Sequence, residues 1–103
     1  MSVDLEKRHR EHICAILDQC LSTQRGICVY AYGSRVKGSA HKFSDVDLAI
    51  ESENPLEGHI LAMLRNAFAE SDLPYAVDVV DLAHVTPIFR ANVDRCRELI
   101  FEV

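Results

Sequence analysis

The chain has 103 residues, of which 49% are hydrophobic and 26% charged, and its formal net charge is −5. A chain of this length buries roughly 60–70% of its unfolded surface in one core, so we expect a single domain over residues 1–103. The acidic balance argues against broad binding to nucleic-acid backbones, which attract basic surfaces.

The sequence lacks the usual signals of membrane and secreted proteins. No apolar run is long enough to cross a membrane, and residues 2–12 are mostly charged or polar, unlike a signal peptide. The four cysteines show no Cys-x-x-Cys spacing, which predicts free thiols. We therefore expect a cytoplasmic protein with no membrane contact. The cysteines are Cys14, Cys20, Cys28 and Cys96.

Helix and strand patterns alternate along the chain. Apolar residues at helical spacing predict the first helix, and a polar cap followed by proline predicts two later helix starts, at Asn54-Pro55 and Thr86-Pro87. Short apolar runs rich in β-formers predict strands. In chain order we expect a helix at 3–22, a strand at 27–32, a short helix at about 34–39, a strand at 46–50, a helix at 55–70, a strand at 75–81, a helix at 87–97 and a terminal strand or tail at 98–103.

A possible phosphate site follows the first predicted strand. Gly33 permits a tight turn, and Ser34 is typical of the first residue of a short helix. A helix start presents free N–H groups and a positive dipole end to an anion. Arg35 and Lys37 could neutralise further phosphate charge, although a structural or surface salt-bridge role explains these two residues almost equally well.

Two aspartates at the start of the next strand predict a metal site. Asp45 and Asp47 are two residues apart, so in a strand they point to the same face with Cα atoms roughly 6.6 Å apart. Carboxylates at this spacing can hold one or two Mg²⁺ ions together with substrate phosphates. Val46, Leu48 and Ile50 would then point the other way, into the core. Alone, the aspartates would also suit a turn cap and a solvated strand end.

A third carboxylate is available on the strand at 75–81. Asp78 lies between Val77 and Val79, and a charge inside an apolar strand is costly unless it is paired or binds a metal. We expect it to complete the site if the two strands are neighbours, and the connection between them is long enough for parallel pairing. Asp81 is the competing candidate, ranked second because a strand end is more easily solvated.

These residues together resemble a known signature. Gly33-Ser34, then Asp45-Val46-Asp47, then the strand containing Asp78 is similar to the DNA polymerase β-like nucleotidyltransferase superfamily. The closest resemblance is to its smallest members, the minimal nucleotidyltransferase (MNT) domain proteins. The resemblance implies an α/β (α+β) fold with a small mixed sheet flanked by helices, like the polymerase β palm. It also implies two Mg²⁺ ions and a nucleoside triphosphate, with Asp45, Asp47 and Asp78 as metal ligands and catalytic residues.

The same resemblance implies an activity and a partner. Such proteins transfer a nucleoside monophosphate, here expected to be AMP from ATP, to a hydroxyl group and release pyrophosphate. Many are antitoxins of a HEPN-domain toxin, and some add AMP to a tyrosine of that toxin. The alternatives are a non-catalytic antitoxin that neutralises its partner by binding, and transfer to a small molecule. Homo- or hetero-oligomers are both compatible with the sequence.

Overall fold

A computed structural model describes residues 5–37 and 44–103, without the side chains of Ser34 and Lys37. These residues contain four helices and four strands, and a 3-10 turn at Leu82–His84 follows the third strand. The elements are α1 (Lys7–Leu21), β1 (Ile27–Tyr32), α2 (Ser34–Lys37), β2 (Val46–Ser52), α3 (Gly58–Ala69), β3 (Val77–Asp81), α4 (Pro87–Cys96) and β4 (Glu98–Glu102).

The strands form one mixed sheet in the order β3-β2-β1-β4. β1 pairs antiparallel with both β2 and β4, whereas β2 and β3 are parallel. The parallel pair is joined through α3, the kind of crossover that parallel strands need. The prediction of a mixed sheet flanked by helices is confirmed, and β3 is an edge strand.

The main core lies between the sheet and helices α1 and α3. β2 directs Val46, Leu48 and Ile50 into it, each with 0% exposure, as predicted. α1 contributes a buried stripe, and α3 contributes three buried residues at helical spacing. The helix residues are Ile13, Ile16, Leu17, Cys20, Leu21, Ile60, Leu64 and Phe68.

The other sheet face carries a second, smaller cluster beneath α4. Ala49, Leu82 and Val93 are its buried members. Thr86 caps α4 by accepting a hydrogen bond from the Phe89 N–H at 3.2 Å, and Pro87 occupies the first turn. The predicted cap-plus-proline start is therefore confirmed for this helix.

The predicted start of α3 is wrong. Asn54-Pro55 has the sequence of a helix cap, but the helix begins at Gly58 after an extended Glu57. β2 continues to Ser52, and the Glu53 N–H is still hydrogen-bonded to the Gly26 carbonyl at 3.0 Å. The chain therefore leaves the sheet too late for a helix to begin at Pro55.

Within the described ranges, no helix is long and apolar enough to cross a membrane.

Candidate active site

Three side chains form a row across the sheet face opposite α1 and α3. Tyr32 ends β1, Asp47 is its partner on β2, and Asp78 is the partner of Asp47 on β3. Directly opposed residues on paired strands point to the same face, and neighbouring strands are about 4.8 Å apart. We call Tyr32, Asp47 and Asp78 the acidic row. The parallel pairing of β2 and β3 thus brings together two of the predicted carboxylates.

The remaining predicted carboxylate, Asp45, lies at the same end of β2 as Asp47. Asp45 is exposed and precedes the first residue of the strand, whereas Asp47 is half-buried. Burial raises the pKa of Asp47, and the negative charges of Asp78 and Asp45 raise it further. Asp47 is therefore close enough to both other carboxylates to be repelled by them, which is the situation that a bound cation would relieve.

Tyr32 is a member of the row that sequence reasoning missed. Burial together with the charges of Asp47 and Asp78 raises the pKa of Tyr32 to about 12. Its ring contacts Phe89 of α4 edge-on, with centroids 5.9 Å apart and planes at 78°. Tyr32 is the last residue of the strand predicted at 27–32. Its alternation with the buried Ala31 was the signal that it faces the other side of the strand.

Gly33 holds the chain close to Asp47. Its φ is +82°, a left-handed conformation that favours glycine. A Cβ added here would collide with the Asp47 carboxylate oxygen Oδ2. The positive φ therefore favours glycine at this position, and any larger residue would also displace the Asp47 carboxylate. The predicted tight turn after β1 is present.

The structure separates the two candidates for the third carboxylate. Asp78 is exposed and shares the face of Asp47, whereas Asp81, three residues further along β3, faces the other side. Asp81 is only 5% exposed and accepts a hydrogen bond from the Ala83 N–H at 2.9 Å. The expectation that Asp81 is solvated is wrong, because its side chain caps the 3-10 turn. Its position on the opposite face nevertheless favours Asp78 as the site residue.

Arg35 is held by contacts within the protein. It is 6% exposed, and its Nε and Nη2 donate to the Ser44 carbonyl at 3.0 and 2.8 Å. Its guanidinium also lies 4.4 Å from the centroid of the Tyr75 ring. These contacts fix the chain just before β2. They agree with the structural role that was considered for Arg35 as the alternative to phosphate contact. Phosphate contact by this residue stays a prediction.

The remaining phosphate-site predictions concern residues at α2. The backbone of Ser34 begins this short helix, as predicted, and Lys37 ends it. The side chains of both residues lie outside the described part of the chain, as do residues 38 and 39 of the predicted helix. The roles predicted for Ser34 and Lys37 therefore stay predictions.

A cavity of about 730 Å³ opens beside the acidic row. On the face of the row, Val80 and Phe89 line it together with the row itself. The cavity continues past β3 to the end of α3 and the following segment. There it is lined by Arg65, Phe68, Ala69, Ser71, Leu73, Tyr75, Ala76, Val77 and Val79.

The acidic side chains suit a hard cation in their chemistry. Mg²⁺ prefers carboxylate oxygens and commonly takes one or two of them together with substrate phosphates. Asp47 lies against the space that Gly33 leaves open, and burial together with the charges of Asp78 and Asp45 raises its pKa. Among the described residues, no three histidine, cysteine or acidic side chains converge closely enough to hold a metal by themselves. By their chemistry, the carboxylates of Asp45, Asp47 and Asp78 fit a Mg²⁺ ion that is also bound by substrate phosphate oxygens.

The fold and the acidic row define a class of protein, the polymerase β-like nucleotidyltransferases. A family model described as "Polymerase beta, Nucleotidyltransferase" matches residues 16–103. The chain therefore belongs to this nucleotidyltransferase family. The match includes the Gly33 turn and all three predicted carboxylates.

Several relatives resemble the chain in sequence or in fold. Over 74 residues it is 49% identical to a Haemophilus influenzae protein named probable protein adenylyltransferase MntA, covering 72% of this chain and 65% of that relative's length. A crystal structure of a toxin-antitoxin with AMP-PNP matches with a TM-score of 0.67 and 23% identity, over 86% of this chain and 73% of the other. A tri-AMPylated Shewanella oneidensis HEPN toxin in complex with MNT antitoxin matches with a TM-score of 0.62 and 19% identity, over 91% and 73%. These two structural likenesses establish the shared fold.

Proposed function

We propose that this chain transfers AMP from ATP, in the presence of Mg²⁺, to a tyrosine hydroxyl of a HEPN-domain toxin and so acts as an antitoxin. The observation that carries the proposal is the acidic row beside the Gly33 turn, in a chain of the nucleotidyltransferase family. The name of the Haemophilus influenzae relative supports AMP transfer to protein. The AMPylated HEPN toxin in the Shewanella oneidensis complex suggests the acceptor.

The predicted site residues have different roles in this reaction. Asp45 and Asp47 would hold Mg²⁺, with Asp78 as a further ligand, and Gly33-Ser34 would hold the triphosphate. The ion would supply charge neutralisation at the phosphates. Asp78 is exposed and therefore accessible to an incoming hydroxyl, whose proton it accepts. The hydroxyl oxygen bonds to the α-phosphorus, the bond from that phosphorus to the β-phosphate oxygen breaks, and pyrophosphate leaves.

The test is the mass of the partner protein after reaction. The purified product of the neighbouring gene is incubated with this chain, ATP and Mg²⁺, and its intact mass is measured. We expect a gain of one or more AMP units. Asp47→Asn keeps the shape of the side chain but removes its charge, so the rate should fall at least about a thousandfold.

A matched control separates this effect from the change in net charge. Asp18 is exposed on α1, on the other side of the sheet from the acidic row, so Asp18→Asn should react like the unmodified chain. Full activity in Asp47→Asn would contradict the proposal. If no AMP is added but the two proteins form a tight complex that protects cells, the chain is a binding antitoxin instead.

A further inference from the structure

The outer edge of β3 carries backbone groups that face away from the sheet. The Val46 N–H donates to the Ala76 carbonyl at 3.0 Å, and β3 pairs with β2 in parallel from this point. Because successive residues of a strand direct their N–H and C=O groups to alternate sides, Ala76, Asp78 and Val80 face β2. Val77 and Val79 therefore direct their backbone groups outward.

These outward groups are largely unpaired. Arg65 of α3 donates to the Val79 carbonyl from Nε at 3.2 Å and from Nη2 at 2.8 Å. Within residues 5–37 and 44–103, the Val77 N–H, the Val77 carbonyl and the Val79 N–H have no hydrogen-bond partner. Such a row of groups is a template for another extended chain.

The cavity beside the acidic row extends around this same edge. Val80, Phe89 and Asp78 line it on one side of β3, while Phe68 and Leu73 line it on the other. An extended segment that pairs with the edge would direct alternate side chains into these two regions. The cavity therefore links the unpaired backbone of β3 to the candidate catalytic carboxylates.

We propose that a short extended segment of the protein acceptor pairs with the outer edge of β3 at Val77 and Val79. This inference rests on the proposed function for the identity of the acceptor. The occupant is a peptide segment that contains the reacting hydroxyl residue, and its backbone bonds to the Val77 N–H, the Val77 carbonyl and the Val79 N–H. The docking site is thus continuous with the active site.

The pairing also places the reacting residue. A residue directly opposite Asp78 on an added strand has its side chain on the same face as Asp78. That face contains Asp47 as the neighbour of Asp78. The N–H and C=O groups of Asp78 face β2, so Asp78 would share no backbone hydrogen bond with the residue opposite it on an added strand. In an antiparallel pairing, the side chains of such residue pairs approach more closely. The hydroxyl residue opposite Asp78 therefore enters the acidic row.

Two measurements on the complex with the HEPN-domain protein test this proposal. In the unsubstituted chain, amide hydrogen exchange of Val77 and Val79 should slow when the complex forms. Val77→Pro removes one outward donor, and proline is tolerated where the N–H of an edge strand faces outward. We expect the dissociation constant and the KM for the protein acceptor to rise about tenfold, while ATP affinity stays unchanged.

The other edge of the sheet supplies a matched control. Ile27 and Val103 exchange backbone hydrogen bonds of 3.0 and 2.9 Å, so the preceding Glu102 directs its N–H outward from β4. Glu102→Pro should leave binding unchanged. If Val77→Pro fails to fold, the exchange measurement on the unsubstituted chain decides.

The outcomes separate docking from catalysis. AMP transfer with no slowing at Val77 and Val79, or with unchanged binding by folded Val77→Pro, overturns the docking proposal but keeps the proposed function. A complex that depends on Val77, without AMP transfer, keeps the docking and removes the enzymatic role. Failure of the two proteins to form a complex, together with the absence of AMP transfer, contradicts both.

Discussion

The two faces of the sheet are built by the same strands but differ in what they stabilise. Toward α1 and α3, β2 contributes Leu48, which is fully buried among apolar side chains. Toward the other side, the preceding residue Asp47 is half-buried beside the carboxylate of Asp78, and its pKa is raised. The same strand therefore places an apolar side chain in the core and, at the neighbouring position, a carboxylate whose ionised form is disfavoured by burial and by negative charge.

This difference shows how a small chain can remain folded with several mutually repelling carboxylates on one face of its sheet. Strand alternation sends every second side chain to the core, so charges can gather on one face without entering the other. The acidic face is also closed on one side by α4, whose Phe89 contacts Tyr32. The core provides stability, and the acidic row uses some of it, as is common at functional sites.

The largest effect on stability should come from the sheet face that packs against α1 and α3. Leu48→Ala removes a side chain with 0% exposure, so we expect the free energy of unfolding to fall by about 2–5 kcal/mol. Urea denaturation followed by circular dichroism measures it. Leu99→Ala is a control because Leu99 is 41% exposed. An equal loss in both variants would show that the core is not where the stability resides.

A smaller effect on stability should come from the turn at Gly33, which follows β1. Gly33→Ala introduces a Cβ at a φ of +82° and against the Asp47 carboxylate. We expect a loss of about 1–3 kcal/mol, because a non-glycine residue is strained there and the carboxylate must move. Thermal unfolding measures the loss, and ATP binding should weaken in parallel. Gly58→Ala is the control, since a Cβ at Gly58 meets no atom within 4 Å.

The anchoring of α4 to the acidic face should matter less. Glu51 pairs with Arg90 and with Arg97 Nη1, the latter at 3.8 Å. All three side chains are about one-third exposed, so Glu51→Gln should cost only about 0.2–1 kcal/mol. The loss should shrink as salt is added, because salt screens partly exposed charges. Glu53→Gln, at an exposed residue, is the control, and a salt-independent loss would contradict an ionic anchor.

Sequence patterns predicted the strand faces of Asp47 and Asp78 because these depend on local alternation. The spacing of Asp45 and Asp47 and the apolar neighbours of Asp78 depend only on strand alternation, and β2 and β3 have the predicted faces. Tyr32 obeyed the same rule and could have been assigned to this face. The positive φ of Gly33 likewise agrees with a turn predicted from its residue type.

Other features depend on contacts between distant segments. The late start of α3 follows from a hydrogen bond between Glu53 and Gly26 that extends the sheet. The burial of Asp81 follows from its cap on the Ala83 N–H. Arg35 is held by Ser44 and Tyr75, which are separated from it in sequence. None of these partners follows from the residue types alone.

The smallest predicted effect concerns the acidic row in the absence of metal. Because the pKa of Asp47 is raised in the folded chain, the folded state binds more protons than the unfolded state as Asp47 titrates. Stability therefore falls as pH rises through this range, and the full penalty is present above the folded-state pKa. Asp47→Asn removes it, so Tm at neutral pH should rise by at most a few degrees.

The pH dependence and Mg²⁺ together test whether repulsion is the cause. The difference in Tm between Asp47→Asn and the unsubstituted chain should vanish well below the ordinary aspartate pKa of 3.8, where Asp47 is protonated in both states. Mg²⁺ at neutral pH should stabilise the unsubstituted chain more than the variant, because a ligand stabilises the state that binds it. Asp18→Asn should respond to Mg²⁺ as the unsubstituted chain does. A gain in Asp47→Asn that persists at low pH would mean that the asparagine stabilises by packing, and that the carboxylates of the acidic row do not oppose folding.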